Sequence, residues 1–187
     1  YGVFGDVVQG KQRQSAYPVF GLKPFYVQRV GNTDSAFVNP DPNKQIASDY
    51  KQVDIAQKIL FQPSDNMQHL LNIQIGNSSN VPRYDRLSET AGGIPVYAEW
   101  YYGPQAKQLL SYQFSATKLT GFFQDLKIIA SYQNIEESRI TRRFKNNNRD
   151  SRWERVNVWG FNMDAKHKSG KNELHIGLES YTNYVSS

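Results

Sequence analysis

The chain has no cysteine among its 187 residues and no run of about eighteen consecutive apolar residues. Without cysteine there are no disulfide bonds and no thiolate metal sites. Without a long apolar run there is no transmembrane helix. A membrane-spanning β-sheet also lacks such a run, because its strands alternate between lipid-facing and lumen-facing residues. The absence of a long apolar run therefore does not exclude a membrane protein that crosses the bilayer with β-strands.

Enzyme signatures are also missing. The sequence has no nucleophile elbow, no phosphate-cradling glycine loop and no HExxH helix. Glu136 and Glu137 are sequence neighbours, so on a strand they would point to opposite faces and could not act as a carboxylate pair. We therefore expect a protein that is not an enzyme, with no catalytic residue, no metal site and no cofactor.

Aromatic residues are abundant where aliphatic residues are few. The hydrophobic fraction is 39%, yet aromatics reach 13%, with 12 Tyr, 10 Phe and 3 Trp. This balance is typical of β structure with one polar face. Period-2 alternation is clear at Leu110–Ala116, Leu126–Tyr132 and Leu174–Leu178, and other segments add to a total of seven strands. The sequence predicts an all-β, antiparallel up-and-down meander.

The predicted connections differ in length between the two edges of the sheet. On one edge they are short, at 63–67, 118–124 and 166–172, whereas on the other edge two are long, at 10–49 and 78–97. Short turns opposite long loops are typical of an outer-membrane β-barrel. A soluble lipocalin-like barrel is the alternative. Residues 1–187 then form part of a transmembrane barrel, and we interpret the chain as an excerpt of a longer protein.

Three segments carry a family resemblance. They are N-S-S-N-V-P-R-Y-D-R-L-S-E (77–89), A-E-W-Y-Y-G-P-Q (98–105) and Y-Q-N-I-E-E-S-R (132–139). The opening F-G-D-V-V and the segment 38–43 fit the same pattern. Together they resemble the TonB-dependent outer-membrane receptors, and most of all the Bacteroidota-type branch that includes haem, haemoglobin and iron-chelate receptors.

The resemblance implies a barrel of about 22 strands closed by an N-terminal plug domain. The plug, and the segment of the parent protein that engages TonB, are absent from this chain. The implied function is TonB-dependent uptake of an iron-containing ligand, a ferric chelate or haem, across the outer membrane of a Gram-negative bacterium. The alternative is a non-transporting outer-membrane barrel that acts as an adhesin or assembly partner through its long loops.

Two groups of residues are candidates for ligand binding. Arg139, Arg142 and Arg143 begin a basic segment with seven arginines and lysines against two acids between 139 and 155. Guanidinium groups match carboxylates and phosphates, so a ferric chelate, haem propionates or lipopolysaccharide phosphates could bind there. The second group is Arg83, Tyr84, Asp85 and Arg86. For each group the alternative is structural: a solvated strand end for the first, and an ion pair of Asp85 that orders the loop for the second.

The remaining candidates concern the membrane and other partners. Trp100, Tyr101 and Tyr102 are interpreted as anchors at the lipid interface, with outer-membrane lipid and lipopolysaccharide as partners. Nucleic acid is not expected, because the meander would place basic and aromatic residues on alternating faces. The three histidines lie at or beside the short turns, away from a ligand that arrives from outside. They are His69, His167 and His175.

Overall fold

A computed structural model describes residues 2–9, 24–42 and 44–187, the first of these ranges as backbone only. The described strands are β1 Gly2–Gln9, β2 Phe25–Val30, β3 Thr33–Val38, β4 Lys51–Ser64, β5 Met67–Ser78, β6 Val81–Pro82, β7 Thr90–Ala91, β8 Ile94–Pro95, β9 Tyr97–Tyr102, β10 Ala106–Ala116, β11 Asp125–Arg143, β12 Arg149–Ser169 and β13 Asn172–Ser186. One short helix, α1, spans Tyr84–Leu87. Strand pairing is antiparallel throughout these residues. The prediction of an all-β, antiparallel structure is confirmed.

The main sheet follows the chain order of its long strands. Its order is β1-β4-β5-β10-β11-β12-β13, so each long strand pairs with the next one along the chain, as the meander prediction requires. β9 lies beside β11 beyond the start of β10, and β6 lies beside β9. β9 and β10 therefore follow one another along the same edge of β11. No closed barrel is found among the described residues.

Turn residues explain the tight edge of the sheet. Asp65 and Asn66 connect β4 to β5, and Gly170 and Lys171 connect β12 to β13. Gly170 has a φ of 60°, a left-handed conformation that glycine adopts without the steric cost of a Cβ. The third connection on this edge, 117–124, is closed by the backbone hydrogen bond from Leu119 to Gln124. The two long connections lie at the opposite edge, which we call the loop edge.

One face of the main sheet carries an apolar band. Directly paired residues point to the same side of a sheet, so the register assigns each residue to a face. Between the row that contains Ile75 and the row that contains Met67, this apolar face has no Asp, Glu, Lys or Arg in β4, β5, β10, β11, β12 or β13. Its large side chains include Ile55, Ile59, Phe61, Leu71, Ile73, Leu110, Tyr112, Phe114, Ile128, Tyr132, Trp159, Phe161, Met163, Ile176 and Leu178.

The opposite face is polar along the same rows. Counted with the row that flanks the band at each end, it carries eight charged residues between β4 and β13: Asp54, Lys58, Lys107, Asp125, Lys127, Asp164, Lys166 and Glu179. Neighbouring side chains cover two of its glycines. A Cβ on Gly160 would lie 2.6 Å from the Tyr181 ring, and a Cβ on Gly76 would lie 2.5 Å from the Asp54 carboxylate. Glycine at these positions lets a cross-strand side chain lie flat on the polar face.

The main sheet is a single layer in the described residues. Only four hydrophobic side chains are buried there: Trp100, Ala116, Ile140 and Ala165. Large residues of the apolar band stay exposed, among them Leu110, Trp159 and Leu178. No helix in the described part of the chain is long and apolar enough to cross a membrane.

The register also settles the orientation of β12. By sequence alone either face of β12 could be the apolar one, because Val156 and Val158 alternate with Trp159 and Phe161. Trp159 is paired with Tyr132, and their rings are 4.6 Å apart, so the odd-numbered residues of β12 belong to the apolar face.

Candidate functional site: the loop edge

The loop edge is built on the ends of β11 and β12, which reach beyond the rest of the sheet. These strands have 19 and 21 residues, against 11 residues in β10. The part of β11 beyond Glu136 pairs with β9 on one side and with β12 on the other. At about 3.3 Å per residue, this extension reaches roughly 20 Å beyond Ala106, the first residue of β10. It brings together most of the residues that the sequence identified as candidates.

Arg142 joins the β2–β3 hairpin to this extension. Its guanidinium donates to both oxygens of Asp34 at 2.6 and 2.9 Å, to Glu99 Oε1 at 2.7 Å and to the Asn146 carbonyl at 3.0 Å. Arg142 is 5% exposed and Asp34 is 3% exposed. The backbone N–H of Lys145 also donates to Asp34. The interaction holds the pKa of Asp34 below its usual value, chiefly through the hydrogen bond from Arg142.

The prediction that Arg142 binds ligand is corrected by this geometry. Its donors are occupied by Asp34, Glu99 and a backbone carbonyl, and the side chain is buried. A ligand would have to displace a buried ion pair, which leaves a charge without its partner at a large cost in free energy. Arg142 therefore acts as the residue that fixes the hairpin, and we call the Asp34–Arg142 pair the latch.

Arg83 holds the start of α1 against β9. It makes a two-point ion pair with Asp85, with distances of 2.8 and 2.6 Å, and donates to the Tyr102 hydroxyl at 3.0 Å. Its guanidinium carbon lies 4.9 Å from the centre of the Trp100 ring. The Asp85 hydrogen bond raises the pKa of Arg83 and lowers that of Asp85. The structural alternative for this group, an ion pair that orders the loop, describes both residues.

The three aromatic residues of β9 do not share a face. Tyr101 pairs with Ile140 and lies on the side of the sheet that carries the apolar band, whereas Trp100 and Tyr102 lie on the polar face. Trp100 is 8% exposed and meets Tyr102 edge-to-face at 5.0 Å. A side chain that is buried in protein cannot anchor at a lipid surface. The prediction of one interfacial girdle is therefore corrected: Trp100 and Tyr102 pack within the loop edge on the polar face, and of the three only Tyr101 lies on the apolar face.

Basic and aromatic side chains do lie on one face at the loop edge. Arg139 pairs with Tyr102 on one side and with Arg152 on the other, and all three point to the polar face with Trp100. The expectation that the meander would separate basic from aromatic residues is wrong here, because β9 lies next to β11 in a register that the sequence does not reveal. That the protein does not bind nucleic acid stays a prediction, but the alternation of faces no longer supports it.

Arg139 and Arg152 line a cavity of about 290 Å³. The other lining residues are Arg86, Tyr97, Trp100, Thr141 and Asp150. We call this cavity the arginine cleft. Of the seven residues predicted to bind ligand, Arg86 and Arg139 line it. Arg152 belongs to the predicted basic segment 139–155 but was not singled out as a ligand contact, and Tyr97 was missed. No local motif marks either residue, because they meet the others only through strand pairing.

The other predicted residues surround the cleft without lining it. The Arg143 guanidinium lies 6.0 Å from the centre of the Tyr97 ring. Arg86, which does line the cleft, donates to Glu89 at 3.2 Å. Tyr84 is half-buried in α1, and desolvation by burial raises its pKa. Ligand binding by Tyr84 and Arg143 stays a prediction.

The three histidines lie beside the short turns, and the neighbouring Glu136 and Glu137 lie on opposite faces, as the sequence predicts. His69, His167 and His175 are in the strand ends next to the short turns, at the edge opposite the arginine cleft. Glu136 pairs in register with Arg155 and forms a 2.7 Å ion pair with it, whereas Glu137 is in register with Glu154 on the other face. No group of three or more His, Cys, Asp or Glu with metal-binding geometry occurs in the described residues.

Comparisons of the chain with protein-family models, with curated proteins and with solved structures return no match. The resemblance to TonB-dependent receptors therefore rests on the sequence segments given above and stays a prediction.

Proposed function

We propose that this chain is a section of an outer-membrane β-barrel of the TonB-dependent receptor type, which takes up an iron-containing ligand. The loop edge faces the outside of the cell and receives the ligand. The short turns face the periplasm. The plug domain and the TonB-binding segment belong to a part of the parent protein outside this chain.

The observation that carries the proposal is the apolar band. It crosses six neighbouring strands without a charged residue, while the other face of the same strands is charged. In β5 the band runs from Met67 to Ile75, nine residues. A strand of about 9–11 residues tilted by about 45° spans a hydrocarbon core. A soluble protein would cover such an apolar face with a second layer of helices or strands. The described residues contain no second layer.

The transport part of the proposal rests on the loop edge and on the three sequence segments. Long connections at one edge form a binding surface on the outer side of such barrels. Here that surface contains arginines and aromatic rings on the polar face, the face that would line the lumen of the proposed barrel. Anionic ferric chelates and haem propionates match that chemistry.

Two experiments test the proposal in turn. Fractionation of cell membranes should place the protein in the outer-membrane fraction, and recovery in the soluble fraction would remove the membrane assignment. A deletion strain should then lose growth on haem or on one class of ferric siderophore as the only iron source. Equal growth with and without the gene on every iron source would remove the iron claim and favour the adhesin or assembly role.

A further inference from the structure

We propose that the arginine cleft binds a small anion with at least two carboxylate or phosphate groups, held by Arg139 and Arg152. The inference rests on the proposed function, in which the loop edge is the side where ligand arrives. It goes further by assigning the contact residues and the chemical class of the group that they recognise.

The first observation is the direct pairing of two like charges. Arg139 and Arg152 are opposite each other on β11 and β12 and point to the same face. Residues in that position have Cβ atoms about 4.5–5.5 Å apart, and like charges there destabilise a sheet. A bound anion would offset that repulsion. Two arginine forks side by side also offer two planar binding positions, each of which fits one carboxylate or phosphate.

The second observation is the lack of a protein partner for this pair. Neither the Arg139 side chain nor the Arg152 side chain has an ion pair or a hydrogen bond in the described part of the chain. Other arginines of the loop edge do have carboxylate partners. Arg83 pairs with Asp85, Arg142 with Asp34 and Glu99, Arg149 with Glu99, and Arg155 with Glu136. Arg86, the third arginine of the cleft, pairs with Glu89. Arg139 and Arg152 are therefore available to a ligand, unlike these paired arginines.

The third observation is a fixed wall beside the pair. Trp100 is buried, packs edge-to-face on Tyr102 and is covered by the Arg83 guanidinium. Arg83 is itself held by Asp85. A wall that is already ordered loses little conformational entropy when a ligand binds. The 290 Å³ cavity beside this wall suits a small polyanion.

Carboxylates of the protein set the position of the ligand. Asp150 is the one acidic residue that lines the cleft, against three arginines. Glu137 and Glu154 form the next row of the polar face towards the apolar band, and they border a neighbouring cavity that also contacts the arginine pair. These three acids repel an anion from the sides of the cleft. We therefore expect the anion to lie between the arginines and the Trp100 wall.

The test uses isothermal titration calorimetry on the whole protein, purified in detergent, with citrate and inorganic pyrophosphate as probes. Acetate, with a single carboxylate, is the control ligand. Arg139→Gln and Arg152→Gln should each weaken binding of the preferred probe about tenfold to a hundredfold, which is the range for a charge-assisted hydrogen bond. Asp150→Asn should strengthen it, and this gain is a result that a misfolded variant would not give.

Arg155→Gln is the matched control, because Arg155 lies on the same strand, three residues from Arg152, and points to the other face. Unchanged binding in this variant supports the cleft. Equal losses in all three arginine variants would show a general charge effect and overturn the inference. It would also be overturned if the native protein bound neither probe, or bound acetate as tightly. The comparison of citrate with pyrophosphate separates a carboxylate ligand from a phosphate ligand.

Failure of this inference can be distinguished from failure of the proposed function. If the glutamine variants bind and support growth like the native protein, the cleft is not the ligand site while transport stands. If the protein is absent from the outer membrane, the proposed function fails whatever the titration gives.

Discussion

Replacing Asp34 with alanine removes the carboxylate of the latch and should release the β2–β3 hairpin from the loop edge. Asp34 accepts two hydrogen bonds from Arg142 and one from the Lys145 backbone, and all of these are lost. Removal of one partner of a buried ion pair costs about 3–5 kcal/mol. We expect the lower end of that range, because Glu99 still pairs with Arg142. The loss is local, since the long strands do not depend on the hairpin.

Hydrogen exchange followed by mass spectrometry measures this change directly. Peptides that cover Phe25–Val38 should exchange about a hundredfold faster in Asp34→Ala, since 1.4 kcal/mol corresponds to a factor of ten. Peptides from β11 in the apolar band should be unchanged. Lys44→Ala is the matched control from the same connection. Its 3.7 Å pair with Asp41 is exposed, and such pairs contribute about 0–1 kcal/mol. If the hairpin exchanges at the native rate in Asp34→Ala, the latch does not hold it.

Three further predictions concern pH, packing and solubility. The folded-state pKa of Asp34 is lowered, so the latch contributes in full above the unfolded pKa of about 3.9 and is lost as pH falls through the folded value. The amide hydrogen-exchange rate of the β2–β3 hairpin, corrected for the pH dependence of intrinsic exchange, should therefore stay constant from about pH 5 to 8. It should rise only in stronger acid. Gly160→Ala should lower thermal stability by about 1 kcal/mol because the new methyl displaces the Tyr181 ring, whereas Gly121→Ala, with open space around it, should not. The 187-residue chain expressed by itself should aggregate unless detergent covers the apolar band and the open sheet edges, and a monodisperse soluble monomer would contradict the membrane assignment.

The strands and their order could be predicted because both depend on local signals. Leu110, Tyr112 and Phe114 alternate with polar residues, which indicates a strand with one apolar face. Asp65-Asn66 and Gly170 indicate tight turns between such strands. Neighbouring strands joined by short turns pair with each other, so the meander follows from the sequence.

The contacts at the loop edge could not be predicted, because they depend on register and on long-range pairing. Asp34 and Arg142 are 108 residues apart, and nothing near either residue identifies its partner. Tyr102 and Arg139 face the same way because β9 pairs with β11 in one particular register. A shift by one residue would send Trp100 to the other face. For this reason the sequence interpretation treated Trp100 as a lipid anchor and Arg142 as a ligand contact.

Tryptophan quenching by lipid tests the central claim, that the apolar face of the sheet lies against lipid. Trp159 is in the apolar band and is 57% exposed, whereas Trp100 is buried on the polar face at the loop edge. Two variants would be reconstituted in vesicles whose lipid chains are brominated. Each retains either Trp100 or Trp159 and carries phenylalanine at the other two of the three tryptophan positions. If the apolar face lies against lipid, Trp159 should be strongly quenched and Trp100 only slightly. Equal, weak quenching of both would contradict it.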